Sequence, residues 1–109
     1  MKIISNKEFL NMPNGTLFSK FNPCVFDTLS IKRDTIYNSD GLPIDYYYTN
    51  LIGNVASNST DILFDSITNH SDFDLEFDTI ERDGLYDSNA LYAIYSDNER
   101  LQLIKTLSI

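Results

Sequence analysis

Residues 16 to 37 read TLFSKFNPCVFDTLSIKRDTIY, and their composition predicts a sheet at the centre of this protein. The first six residues form a strand-like run that ends at the turn-forming pair Asn22-Pro23. Beyond that pair, residues 25 to 37 predict one or two further strands, with Leu29 and Ile31 on one face and polar side chains on the other. The segment therefore predicts neighbouring strands of an antiparallel sheet.

Further strands are predicted towards the C-terminus. Residues 44 to 52 contain three consecutive tyrosines and have strand-forming composition. Residues 72 to 78 read DFDLEFD, in which acidic and apolar residues alternate strictly. This period of two predicts a half-buried strand that places three apolar side chains on the core, namely Phe73, Leu75 and Phe77. Residues 90 to 95 fit either a buried strand or a helical turn.

Short helices are predicted near the N-terminus, in the middle of the chain and near the C-terminus. The capping boxes Ser5-Asn6-Lys7-Glu8 and Ser96-Asp97-Asn98-Glu99 mark the start of the first and the last helix. The middle helix is predicted over residues 61 to 68, after a polar segment, residues 57 to 60, that offers several caps. Ile62, Leu63 and Ile67 are expected to face inward, and Leu101, Ile104 and Leu107 lie along one face of the last helix.

The sum of these elements is a single α+β domain that covers residues 1 to 109, with partial closure of the sheet into a barrel left open. The length suits one compact domain and is too short for two. The hydrophobic fraction of 42%, with seven Phe and seven Tyr, can fill a core. Cys24 is the only cysteine, so an internal disulfide is excluded, and a buried apolar role is expected for it.

No targeting or membrane segment is evident in the sequence. The first residues turn polar after two isoleucines, a run too short for the apolar core of a signal peptide. The longest run without polar residues is residues 90 to 95, which is far shorter than a membrane span. We therefore expect a protein of the bacterial cytoplasm with no membrane partner.

The charge of the chain is concentrated in its second half. Residues 1 to 60 contain five acidic and five basic residues, whereas residues 61 to 109 contain eleven acidic residues against three basic ones. The net charge of −8 therefore belongs to the second half. Direct binding of nucleic acid is disfavoured, because a phosphate backbone requires a surface rich in lysine and arginine.

The acidic residues and the tyrosines predict a surface for a partner. On a strand, the acidic residues of 72 to 78 would form a row with a spacing of about 6.6 Å. Such a row either docks a basic partner or is a solvated sheet face or edge charged against aggregation. The tyrosines provide interface area, a homodimer contact or ordinary core. The candidate partner-binding residues are Asp72, Asp74, Glu76, Asp78, Glu81, Asp83, Asp87, Tyr46 and Tyr48.

Motifs for catalysis or cofactor binding are missing from the sequence. His70, Asp72 and Asp74 offer metal ligands close together, but the spacing of a calcium loop is absent. There is no phosphate-binding glycine loop either. A protein that sequesters a nucleotide could stack the base on its aromatic residues, with Lys20, Lys32 and Arg33 as the available cations. We predict a non-enzymatic protein without cofactor or metal, and keep nucleotide sequestration as the alternative.

Residues 9 to 21, FLNMPNGTLFSKF, resemble the opening of small proteins encoded by bacteriophages and prophages, which has the form F-L-x-x-P-x-G-T-x-x-S-K. Residues 82 to 87, RDGLYD, and 91 to 96, LYAIYS, are similar to the tail of the same group. Small acidic phage proteins often inhibit host defence, as anti-CRISPR and anti-restriction proteins do. The resemblance implies an inhibitor that binds a basic nucleic-acid-binding surface of a bacterial defence complex. An acidic structural or assembly component of a virion is a further alternative.

Overall fold

The computed structural model describes residues 1 to 55 and 60 to 109. Its elements are β1 (Lys2–Ser5), α1 (Asn6–Leu10), β2 (Leu17–Asn22), β3 (Val25–Tyr37), β4 (Pro43–Asn50), β5 (Asn54–Val55), α2 (Thr60–Asn69), β6 (Leu75–Glu76), β7 (Glu81–Arg82), β8 (Leu91–Ile94) and α3 (Asp97–Leu107). Six strands form an antiparallel sheet in the order β1-β8-β2-β3-β4-β7, and β5 pairs with β6. The predicted α+β class is confirmed, and within the described residues the sheet stays open, with β1 and β7 at its edges.

The middle of the sheet follows the predicted strands. β3 pairs with β2 through its first half and with β4 through its second half, so one long strand serves two partners. β8 lies between β1 and β2, which settles residues 90 to 95 as a strand. Its sequence, Leu-Tyr-Ala-Ile, is apolar on both faces, as expected of a strand covered on both sides.

An aromatic core lies where α1 covers one face of the sheet, and it consists of Phe9, Phe18, Tyr46 and Tyr92. Phe9 is fully buried, and its ring stacks on Tyr92 with centroids 3.9 Å apart. The centroids of Phe18 and Tyr46 lie 4.6 Å and 4.9 Å from that of Phe9. The Ser5 hydroxyl accepts from the Glu8 amide as predicted, which fixes the start of α1. The main contribution of α1 to the core is therefore the Phe9 ring.

Lys32 is buried under the same helix, although its position in a polar repeat suggested a solvated face. Its ammonium group donates to Thr35 Oγ1 at 2.6 Å, and Thr35 donates to the Leu10 carbonyl at 2.8 Å. This relay satisfies a carbonyl at the end of α1 that has no partner within the helix. Burial lowers the pKa of Lys32, and the nearby Asp34 opposes that effect.

α3 lies against the opposite face of the sheet and begins at the predicted capping box of Ser96 and Glu99. Leu101, Ile104 and Leu107 do not become core residues, since more than half of each side chain is exposed. The helix leaves an apolar groove of about 210 Å³ between itself and the sheet, lined by Leu17, Leu29, Ile31, Leu51, Arg100, Leu103, Ile104 and Leu107. α3 therefore covers this face of the sheet only in part.

The strand predicted over residues 72 to 78 is wrong. Among the described residues, only Leu75–Glu76 of this segment form strand pairs, with β5 outside the main sheet, and the three apolar side chains expected on the core are exposed. The free edge of β4 is taken by β7, because Arg82 pairs with the buried Asp45 of β4. Residues 72 to 78 therefore have no place in the main sheet, although their alternating pattern suits a strand.

The middle helix exists as predicted, but its packing does not. α2 spans Thr60–Asn69, and the cap predicted at residues 57 to 60 lies outside the described residues except for Thr60 itself. Leu63 and Ile67, expected to face inward, are exposed, and no residue of α2 is fully buried. Within residues 1 to 55 and 60 to 109, no layer buries the apolar side of this helix. Cys24, also expected to be buried, is exposed in the turn between β2 and β3.

Candidate functional site

A cavity of about 110 Å³ opens on the α1 side of the sheet, beside the aromatic core. Each of the neighbouring strands β2, β3 and β4 contributes two lining residues that are two positions apart, because alternate side chains of a strand share a face. The lining residues are Phe18, Lys20, Asp27, Thr28, Ser30, Tyr46, Tyr48 and Asp83. Phe18, Ser30 and Tyr46 form a buried floor, whereas Asp27 and Thr28 are exposed and form the rim. The cavity thus combines aromatic and polar walls.

Asp83 enters the cavity from the segment that follows β7. Its amide donates to the Tyr46 carbonyl at 3.1 Å, and its carboxylate forms an ion pair with Lys20 at 2.5 Å. The carboxylate is 8% exposed, so the pair lies mostly away from water. The charge of Lys20 is therefore already matched within the cavity.

The buried Asp45 carboxylate holds this segment in place. It accepts from Arg82 Nε at 2.7 Å, from the Gly84 amide at 3.1 Å and from the Tyr46 amide at 2.8 Å. Gly84 has a φ of 69°, a conformation that favours glycine. Asp83 lies between the two residues that Asp45 fixes, so its position is set by a carboxylate outside the cavity.

The Tyr46 hydroxyl is buried and has no hydrogen-bond partner among the described residues. Burial raises the pKa of Tyr46, and the neighbouring Tyr92 hydroxyl and Asp83 carboxylate raise it further. Burial also raises the pKa of Tyr48 to about 12, with added effects of Glu81, Asp83 and Asp27. The carboxylates that raise these two pKa values are those of Asp27, Glu81 and Asp83.

Stability should fall steeply on the alkaline side of the ordinary tyrosine pKa of about 10. The folded protein keeps Tyr46, Tyr48 and Tyr92 protonated there, whereas the unfolded chain releases these protons. Their stabilisation is complete below about pH 10 and is lost as the pH rises towards the folded-state pKa values. For each fully buried tyrosine we expect the free energy of unfolding to drop by about 1.4 kcal/mol per pH unit. Urea unfolding at a series of pH values measures this slope.

The lowered pKa of Lys32 acts in the opposite direction. The unfolded chain keeps the Lys32 proton to a higher pH than the folded protein does. This effect raises the free energy of unfolding with pH up to about pH 10.5, so the tyrosine effect is best measured above that pH. Tyr46→Phe should make the fall in the free energy of unfolding with pH less steep, by the contribution of one buried tyrosine. Tyr37→Phe, at an exposed ring, should leave it unchanged. Equal slopes in wild type and Tyr46→Phe would contradict the assignment.

A wider cleft of about 310 Å³ adjoins the cavity and shares Lys20 and Asp27 with it. The remaining lining residues are Phe21, Asn22, Pro23, Leu85, Asp87, Asn89, Ala90 and Leu91. Asp87 adds a further acidic group, and Leu85 an exposed apolar one. The cavity and the cleft together form a continuous acidic surface around Lys20.

The structure divides the predicted partner-binding residues into two groups. Tyr46, Tyr48 and Asp83 line the cavity, Asp87 lines the cleft, and Glu81 pairs across the strands with Tyr48. The others lie outside the main sheet and away from the cavity: Asp72, Asp74, Glu76 and Asp78. The sequence analysis considered Lys20 only as a cation for a nucleotide, and it missed Phe18, Asp27, Thr28 and Ser30. Period-two alternation on β2 and β3 does place Phe18 with Lys20 and Thr28 with Ser30 on common faces.

The residues considered for metal or nucleotide binding do not converge. In residues 1 to 55 and 60 to 109, no group of three or more His, Cys, Asp or Glu side chains is arranged to hold a metal ion. Lys20 pairs with Asp83, Lys32 donates to Thr35, and Arg33 donates to Thr49. Three cations with separate partners do not form a phosphate site.

A scan against protein-family models and searches of curated proteins and of solved structures found no match to this chain. The evidence for its function is therefore the chemistry of its own surfaces and cavities. In the part of the chain that the structure describes, no helix has the length and apolar character needed to cross a membrane.

Proposed function

We propose that this protein is a non-enzymatic binding protein that docks onto a basic surface of a partner through residues 60 to 80, here called the acidic arm. The carrying observation is the charge of this segment. It contains six acidic residues and no lysine or arginine, and all six are exposed: Asp61, Asp65, Asp72, Asp74, Glu76 and Asp78. Opposite charge on a partner would speed association and select the partner.

Exposed apolar side chains in the acidic arm favour docking over simple solvation. Phe64, Ile67 and Phe77 are 65%, 72% and 59% exposed. A solvated acidic surface has no need of large apolar groups, whereas interface centres are enriched in aromatic residues. The acidic arm therefore has both features of a docking surface, a charged periphery and apolar anchors.

The total surface supports the same proposal. The chain exposes 7545 Å², whereas a compact monomer of this mass exposes about 6,200 Å². Its radius of gyration is 16.1 Å, compared with about 13 Å for a compact chain of this length. The chain is therefore less compact than a typical monomer of its length, as expected of a protein with a segment outside its main sheet.

A basic protein is favoured over a second copy of this chain. Two acidic arms brought together would place like charges in one interface, which disfavours association. The resemblance to phage proteins supports a more specific target, the basic nucleic-acid-binding surface of a bacterial defence complex. Occupying such a surface would inhibit the complex without any chemical step.

Charge reversal in the acidic arm should slow the association with the partner and weaken binding. We expect Asp74→Lys, Glu76→Lys and Asp78→Lys together to lower the association rate roughly tenfold or more at low salt. The partner is first captured from a bacterial lysate with nuclease present and identified by mass spectrometry. Association of the purified pair is then measured at low and high salt.

The matched control carries the same charge change elsewhere, as Asp34→Lys, Asp40→Lys and Asp97→Lys, at three exposed positions outside the acidic arm. It should bind nearly as the wild type does at high salt, where long-range effects are screened. Circular dichroism checks that both variants fold. Unchanged affinity and salt dependence in the acidic-arm variant would refute the proposal.

A further inference from the structure

We propose that the cavity between β2, β3 and β4 binds a primary ammonium group, supplied either by a free alkylamine or by a lysine side chain. This site is separate from the acidic arm. The inference goes beyond docking through the arm and stands without it. The residues of the cavity, Tyr46 and Asp27 among them, take no part in the proposed docking through the arm.

The unpartnered Tyr46 hydroxyl points to a ligand. Tyr46 is 1% exposed and lines the cavity, and its hydroxyl has no hydrogen-bond partner among the described residues. A buried polar atom left without a hydrogen bond costs about 1–3 kcal/mol, so native proteins keep such atoms rarely and for a reason. A donor on a bound ligand would satisfy this oxygen.

The charges around the cavity select a cation. Lys20 is neutralised by Asp83 at 2.5 Å, which leaves Asp27 without an ion pair among the described residues. Asp27 lies at the rim, where its carboxylate accepts from the Thr28 amide at 2.8 Å and retains free acceptor positions. Glu81 and Asp87 add negative charge nearby. These carboxylates would repel an anion, whereas a cation would neutralise the unpaired charge of Asp27.

The shape and walls favour an organic ammonium group over other cations. A divalent metal would need several ligands at one point, and the described residues offer no such group. Phe18, Tyr46 and Tyr48 give aromatic walls that suit an ammonium head and its methylene chain. The cavity of about 110 Å³ is below the size of typical cofactor pockets, about 300 Å³ or more. It fits the end of an alkylamine rather than a nucleotide.

The test is a titration of the full chain followed by amide NMR. The ligands are n-butylammonium chloride, n-butanol as its uncharged analogue, and Nα-acetyl-lysine-N-methylamide, all at constant ionic strength up to about 50 mM, because a single ammonium group should bind in the millimolar range. We expect both amines to shift the amides of Thr28, Ser30, Tyr48 and Asp83. The alcohol should bind at least about tenfold more weakly.

The two amines distinguish the sources. A site for free alkylamines binds n-butylammonium at least as tightly as the lysine derivative. A site for a partner's lysine binds the lysine derivative more tightly, because the adjoining cleft contacts its amide groups. Either result supports an ammonium site and assigns its ligand.

Variants locate the binding groups. Tyr46→Phe should weaken amine binding about tenfold without loss of stability, since it removes an unpartnered hydroxyl. Asp27→Asn should weaken it by a similar factor. The matched controls are Tyr47→Phe, on the opposite face of β4, and Asp40→Asn, in a distant turn, and both should bind as the wild type does.

Three results would overturn the proposal. They are equal binding of n-butanol and n-butylammonium, amine binding that Tyr46→Phe and Asp27→Asn leave unchanged, and absence of any shift at the highest concentration. The charge-reversed acidic arm keeps the cavity residues, so it should bind the amine normally even where partner docking fails. Failure of the cavity proposal and failure of the docking proposal are thereby separate outcomes.

Discussion

Replacing Phe9 with alanine should lower the free energy of unfolding by about 3–5 kcal/mol. Phe9 is fully buried and lies within 5 Å, centroid to centroid, of three other aromatic rings. α1 has only five residues, which is too short for a helix to be stable by itself. Its packing on the sheet through Phe9 therefore stabilises it. Truncation leaves a cavity beneath the helix and removes the ring whose centroid lies 6.0 Å from the Lys32 ammonium group. Urea unfolding measures the loss.

The matched control for this prediction is Phe64→Ala in α2. Phe64 is 65% exposed, so its truncation should change stability by no more than about 0.5 kcal/mol. A domain of this length is typically stable by about 5–15 kcal/mol, so the Phe9 variant loses a large share of the total. Equal effects of the two truncations would show that α1 does not anchor the core.

Replacing Asp45 with alanine should cost about 2–4 kcal/mol and abolish amine binding in the cavity. The carboxylate is 1% exposed and accepts from Arg82 and from the amides of Tyr46 and Gly84. Its removal leaves buried donors without acceptors. It also releases β7 from the edge of β4, so Asp83 loses its position. Urea unfolding gives the cost, and amide NMR reports the environment of residues 81 to 84.

Two substitutions check this explanation. Asp45→Asn keeps the shape and one acceptor oxygen, so we expect a smaller loss and partial retention of the Gly84 bond. Asp34→Ala removes an exposed carboxylate that accepts from Asn14, and it should leave amine binding unchanged. Normal amine binding in Asp45→Ala would mean that Asp83 is positioned by other contacts.

The two proposed functions, partner docking and ammonium binding, use different parts of the chain. The sheet and α1 build a rigid cavity from neighbouring strands, whereas the acidic arm lies outside that sheet with its charges and apolar groups exposed. Rigid elements suit the placement of a few polar atoms around a small ligand. An exposed segment suits a large, charged contact area. The two surfaces can therefore be separated by mutation.

Local sequence patterns predicted most of the elements correctly. Capping boxes located both terminal helices, because the cap bonds are made within four residues. The strands β2, β3 and β4 followed from composition and turn residues. Tyr46 and Tyr48 were predicted as partner-binding residues, and the structure places both at the cavity.

The same patterns failed where burial depends on a distant partner. Residues 72 to 78 have the cleanest alternation in the chain, yet the edge of β4 is occupied by Arg82 through its pairing with Asp45. Alternation states which side chains share a face but not which strand lies beside them. The apolar sides of α2 and α3 were likewise predicted correctly as patterns, but only neighbouring layers determine whether they are covered.

The sequence by itself determined the α+β class, the positions of most elements and the acidic character of the second half. These properties depend on residues close together in the chain. Only the tertiary structure decided that Lys32 of β3 is buried under α1, that Asp27, Asp83 and Tyr46 line one cavity, and that the acidic arm stays outside the main sheet. The reason is physical, since burial and hydrogen-bond satisfaction are set by contacts between residues far apart in sequence, which no local period encodes.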